Sequence, residues 1–152
     1  MTEPKSRKDQ RPEFLVNVVE QDVYKRWLDR KAKSLVARDK RNGAKVPALV
    51  YREAIHQSVL ASEGLDVYTG EKLDWTLISQ YDNEQSKQDG RDYKHKFALL
   101  PTVDHIDDPR HGSANFNICA WRTNDAKHDL GLDEFIALCE KVLAQRARKS
   151  NL

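Results

Sequence analysis

The chain predicts an α+β fold, and three features carry that expectation. Apolar residues recur at three- and four-residue spacing through the first 64 residues. Two short β-prone runs follow, separated by a tight polar segment with Asp, Pro and Gly. A last amphipathic stretch closes the chain, so helices from both ends flank a small β core.

Each element has its own signal. Residues 1–12 are charged and hold two prolines, which predicts a disordered basic tail. From Val18 to Arg38 the stripe Val23, Tyr24, Trp27, Leu28, Ala32, Leu35 and Val36 predicts a helix that ends at Asn42-Gly43. Pro47 suits the first turn of a second helix, which Leu49, Val50, Ala54, Ile55, Val59 and Leu60 continue to a C-cap at Gly64. Residues 66–70 look like a turn, and Leu73–Ile78 alternates as a strand does. Residues 79–96 are polar and patternless, which predicts a long loop. Phe97–Ile106 and Phe116–Trp121 are the β-prone runs, and a helix is expected near 122–129. Asp133 is the expected N-cap of a final helix to Arg146, burying Phe135, Ile136, Leu138, Cys139, Val142 and Leu143. The division expected is a tail (1–12), a helical part (13–64), a core with its closing helix (65–147) and a short tail (148–152), all in one compact domain.

Composition narrows the functional classes. No run approaches the ~18 apolar residues of a membrane helix, and the N-terminus has no apolar signal region, so a cytoplasmic protein is expected. Two cysteines make neither a disulfide framework nor a four-thiolate zinc site, and both are expected to be buried free thiols. Net charge is +2, but residues 1–46 hold 13 Lys and Arg against 7 Asp and Glu. A basic arm on a more acidic body is one way to bind a polyanion. Lys25, Arg26, Arg30 and Lys33 on the first helix, with Arg110 and Arg122, are the candidate phosphate contacts. Trp27, Trp75 and Trp121 are expected in the core rather than stacked on bases. His56 is expected on a helix surface and His95 in a loop.

The chemistry concentrates in residues 102–129. Asp104 is a hard oxygen donor suited to Mg²⁺ or Mn²⁺, and His105 can take a proton near neutral pH. Neighbours on a strand face opposite ways, so the pair serves one site only at a strand end or bend. Asn115 follows eleven residues after Asp104, Asn124 nine later, and Lys127 three beyond that. On a helix, positions 124 and 127 share a face.

The series Asp104-His105-Ile106, Asn115, then Asn124-x-x-Lys127 resembles the motif of the HNH endonucleases. The resemblance spans about residues 66–143. It implies a ββα-metal core with the N-terminal helices and the C-terminal helix packed around it. By the same resemblance Asp104 and Asn124 would hold one divalent cation, Mg²⁺ or Mn²⁺, with Zn²⁺ or Ni²⁺ as further options. His105 would activate water and Asn115 would orient its ring. Lys127 would contact phosphate. His128 and His111 are further candidates, as an extra ligand and a binding aid. Phosphodiester hydrolysis needs a base and charge stabilisation on the leaving oxygen, and this residue set supplies both. Activity should fall in acid as the imidazole protonates.

The chain also departs from the pattern. Where zinc-bearing members keep cysteines, it has the Tyr68-Thr69-Gly70 turn on one side and Ala120 and Thr123 on the other, so no structural zinc is expected. The expected partner is DNA, with RNA also open, and the expected state is a monomer or homodimer away from membranes. The rival reading is a catalytically degenerate HNH-like module that binds nucleic acid or a partner protein without cutting.

Overall fold

The long N-terminal stripe folds as α1 (Gln21–Arg41), and its apolar face goes inward. Tyr24, Trp27, Leu28, Ala32 and Leu35 are buried at helical spacing, and Asp39 continues the same line. Asn42 and Gly43 end it, with Gly43 at φ 95° where a side chain would be strained. Pro47 is the N-cap of α2 (Ala48–Ser62), whose Tyr51, Ile55 and Val59 pack against α1. The computed structural model describes residues 10–106 and 114–151.

The two β-prone runs form β1 (Pro101–His105) and β2 (Phe116–Ala120), paired antiparallel with Asp104 opposite Asn117 and His105 opposite Phe116. Helix α5 (Trp121–Lys127) begins where β2 stops. The sheet lies on α2, and Ser58 Oγ donates to the Phe116 carbonyl at 2.9 Å. One core runs through all of this, from Leu15 to Ala120. The α+β class is as expected, and no helix among the described residues is long and apolar enough to cross a membrane.

Several expectations need correcting. Leu73–Ile78 alternates in burial but is not a strand. Asp74 Oδ1 accepts from both the Thr76 N–H (3.1 Å) and the Thr76 hydroxyl (2.6 Å), which draws residues 75–79 into a 3-10 turn. The polar stretch after it is two short helices, α3 (Asn83–Asp89) and α4 (Arg91–Lys96). Asp82 caps α3 through the amides of Glu84 and Gln85, and the Tyr93 hydroxyl accepts from the Asp82 N–H at 2.7 Å. The disorder expected over 1–12 does not reach its end. Arg11 donates to the Val19 carbonyl and to the Gln21 side chain. His56 is buried, 2.8 Å from the Tyr24 hydroxyl, and His95 sits on α4.

The largest departure is the last helix, α6 (Leu132–Ser150). It starts after Gly131, with Asp133 in its first turn rather than at the cap. None of its residues is buried, so it is not packed around the core as expected. Cys139 is exposed for the same reason, whereas Cys119 is buried in β2 and burial pushes its thiol well above the usual range.

Candidate functional site

His105 is the last residue of β1, one cross-strand hydrogen bond short of where the described pairing stops. Asp104 and His105 therefore both line one cleft of about 760 Å³. Val103, Asn117, Asn124 and Lys127 line it from the sheet and α5. Arg38, Asp39 and Asn42 line it from the end of α1. His128 and Asp129 close the far side.

The His105 ring is held at both nitrogens. Arg38 Nη2 is 2.7 Å from Nδ1, and Asp39 Oδ2 is 2.8 Å from Nε2. A guanidinium only donates, so Nδ1 is the acceptor and Nε2 carries the hydrogen given to Asp39. Asp39 is 2 % exposed and also accepts from the Tyr51 hydroxyl at 2.6 Å. Burial, and then donation to Asp39, hold the Tyr51 hydroxyl well above the ordinary phenol range. The carboxylate is thus fixed from the α2 side before it meets the ring.

Asp104 is held on its other flank. Its Oδ2 accepts from the Tyr68 hydroxyl at 2.5 Å and lies 3.1 Å from Lys127 Nζ. Asn117, its cross-strand neighbour, donates to the same Tyr68 oxygen at 3.2 Å. Burial raises the Tyr68 pKa, and donation to Asp104 raises it further, so Tyr68 remains a donor.

Asp66 places Tyr68. Its Oδ1 accepts from the Tyr68 and Thr69 amides, and its Oδ2 from the Ala120 amide and the Thr123 hydroxyl. One buried carboxylate thereby ties the 66–70 turn to the β2–α5 junction.

The sequence-selected residues divide into groups. Asp104, His105, Asn124, Lys127 and His128 come together in the cleft. Lys127 is 4 % exposed and paired with Asp104, so its ammonium faces a carboxylate here rather than open solvent. His128 is exposed and 3.0 Å from the Asp129 carboxylate. Asn115 stands just ahead of β2, where its carbonyl accepts from the Ile106 amide. The ring-holding bond that the resemblance gives to Asn115 is made by Asp39. Lys25, Arg26, Arg30 and Lys33 are exposed on α1, outside the cleft lining. Arg26 pairs with Asp22, and Arg30 donates to the Ile78 carbonyl. Arg122 is also outside the lining and pairs with Glu71. Arg110 and His111 lie outside the described residues.

Sequence reasoning passed over Asp39, Tyr68 and Asn117. Two of them had a signal. Asp39 is an acid on the apolar stripe, four residues after Leu35, and Asn117 faces Asp104 once the strands are in register. Tyr68 had none, because its 36-residue reach to Asp104 depends on the fold.

Asp104 and Asn124 offer oxygens suited to Mg²⁺, which binds through one or two protein oxygens plus water and substrate phosphate. Among the described lining residues Asp39, Asp104, Asp125 and Asp129 outnumber the fixed cations Arg38 and Lys127. A phosphate entering this cleft needs added positive charge. No cluster of three His, Cys, Asp or Glu able to hold a metal occurs among the described residues.

No family model, curated protein or solved structure matches the chain.

Proposed function

We propose that this protein is a metal-dependent HNH-type endonuclease that hydrolyses phosphodiester bonds, with DNA as substrate and β1, β2 and α5 as a ββα-metal core. The observation that carries the reading is the His105 ring. It is held by Asp39 through Nε2–H, beside Asp104, in a cleft shared with Asn124 and Lys127.

Asp39 selects the tautomer with its lone pair on Nδ1, the nitrogen available to accept a proton from water. It also stabilises the imidazolium that forms. Arg38 stands at that nitrogen, and its side chain is 54 % exposed. A phosphate is a stronger partner for a guanidinium than a neutral ring nitrogen. Incoming substrate therefore draws Arg38 to its backbone and uncovers Nδ1. Asp104 and Asn124 would hold the cation, which supplies charge stabilisation at the leaving oxygen. Tyr68 and Asn117 keep the Asp104 carboxylate in place. Lys127 offsets the Asp104 charge across 3.1 Å, and in this reading its ammonium would contact phosphate.

The Lys127–Asp104 contact also favours a second reading. A lysine that permanently satisfies Asp104 leaves no room for a cation, and the chain is then a non-cutting nucleic-acid-binding module. Supercoiled plasmid with Mg²⁺, Mn²⁺ or EDTA separates the two. The nuclease converts plasmid to nicked or linear form with metal, and His105→Ala reduces the rate at least about 100-fold with DNA affinity retained. Salt-sensitive DNA retention with no cleavage in either metal selects the module.

A further inference from the structure

Beside the cleft, α4 and α5 enclose a second groove of about 310 Å³. Trp121 and Asp125 line both, so the groove and the cleft share a wall.

The charge of the groove is the reverse of the cleft's. Helix α4 sets Arg91, Lys94 and His95 at three- and four-residue spacing, on the one face that meets the groove. Its acid Asp92, with Asp89 of α3, lines a separate hollow instead. Arg122 of α5 adds a third fixed cation, and Asp125 is the one acid among the described lining residues. Lys94 is 3.0 Å from Asp125, and Arg122 pairs with Glu71. These four side chains are between 41 % and 55 % exposed. Ion pairs at such exposure are weak, because water competes for both partners. Either cation can therefore exchange its carboxylate for a phosphate, the stronger partner for a guanidinium. The floor of the groove is apolar, made by Ala98, Ala126 and the half-buried Trp121. A sugar–phosphate backbone alternates an apolar sugar with an anion, and this groove sets an apolar floor beside cations.

We propose that the α4–α5 groove holds the backbone of a DNA strand next to the phosphate that enters the cleft. Arg91, Lys94 and Arg122 meet its phosphates, and Trp121 lies under a deoxyribose. This deepens the nucleic-acid reading of the cleft and rests on it, though not on whether the cleft cuts. The groove supplies the positive charge that the acidic cleft lacks. It also puts the track on α4 and α5, away from the exposed α1 cations Lys25 and Lys33.

Fluorescence anisotropy of a labelled duplex of about 20 base pairs, titrated with the full chain in EDTA so that nothing is cut, tests it. Arg91→Ala/Lys94→Ala weakens binding at least about tenfold at low salt, and lowers the slope of log affinity against log salt by about 2. Lys25→Ala/Lys33→Ala removes the same charge from α1 and weakens binding less than about threefold. All four positions are exposed, so both variants keep the fold, checked by circular dichroism and thermal melting. If Arg91→Ala/Lys94→Ala binds like wild type, the groove is not the track, and the proposal falls while the nucleic-acid reading stands. The same follows if the α1 variant loses as much as the groove variant, which reduces the attraction to net charge. Wild type that does not bind DNA even at low salt overturns the groove together with the reading it rests on.

Discussion

Helices α1 and α6 are of similar length, 21 and 19 residues, and both carry an apolar stripe at helical spacing, yet their surroundings are opposite. The α1 stripe is buried under α2 and the 75–79 turn, where Trp27 meets Trp75 edge to face at 5.4 Å. No residue of the α6 stripe is buried, and Phe135 is half-buried. The two differ in the company their sequences keep. α1 has two aromatic residues and a buried acid with fixed partners, whereas α6 has one aromatic residue, Phe135, among aliphatic ones and a cation inside its stripe. Periodicity reports that a helix has an inner face. It does not report whose core that face enters.

Substitutions on the two helices should therefore differ in size and in what they disturb. Trp27→Ala empties the centre of the aromatic cluster and should cost about 3–5 kcal/mol, read as a fall in the denaturant midpoint. If the loss is below about 1 kcal/mol, α1 is not the packed partner described here. Asp39→Ala leaves the Tyr51 hydroxyl and the His105 N–H without their shared acceptor and should cost on the order of 2 kcal/mol. It should also lower any plasmid cleavage more than it lowers stability at the assay temperature. Cleavage that survives in Asp39→Ala would remove Asp39 from the reaction.

Lys31 gives the comparison a sign. Burial, reinforced by Arg30, lowers its pKa to about 8, so between about pH 8 and its ordinary 10.5 the unfolded chain binds more protons than the folded one. Stability should rise with pH across that window. Lys31→Met should lack that rise and be more stable at pH 7 by on the order of 1–2 kcal/mol, measured by urea titration at both pH values. The smallest effect belongs to α6. Val142→Glu should change monomer stability by less than about 0.5 kcal/mol, because the side chain already faces solvent. A larger loss in dilute protein would show that α6 leans on the body.

Much of the fold was legible where one local rule decided the outcome. The α1 stripe, the Pro47 start, the two strands and α5 all follow from spacing and turn chemistry. The failures occurred where a side chain overruled the pattern. Leu73, Trp75 and Leu77 do alternate inward, but Asp74 bends the backbone by capping Thr76. Helices α3 and α4 have almost no apolar face, with Tyr93 their one buried residue, so periodicity could not find them. The candidate site divides in the same way. Asp104, His105, Asn124 and Lys127 lie close enough in sequence to be read as a motif. The groups that hold them, Asp39 and Tyr68, come from 66 and 36 residues away along the chain. Such distant pairings are products of packing.

The Asp66 carboxylate shows a second kind of substitution for a motif. It joins the 66–70 turn to Ala120 and Thr123, the two segments where zinc-bearing members of the resembling family have thiolates. Four hydrogen bonds to one buried acid give that junction a covalent-free tether that a chelator cannot strip.

The position of Asp39 sets when His105 becomes organised. During synthesis the holder emerges first and the ring much later, and the two meet only when the sheet has docked on the N-terminal helices. A nascent chain, a proteolytic fragment beginning after α2, or a partly unfolded molecule carries the ring without its tautomer fixed. Organisation of the His105 ring is thus tied to completion of the fold.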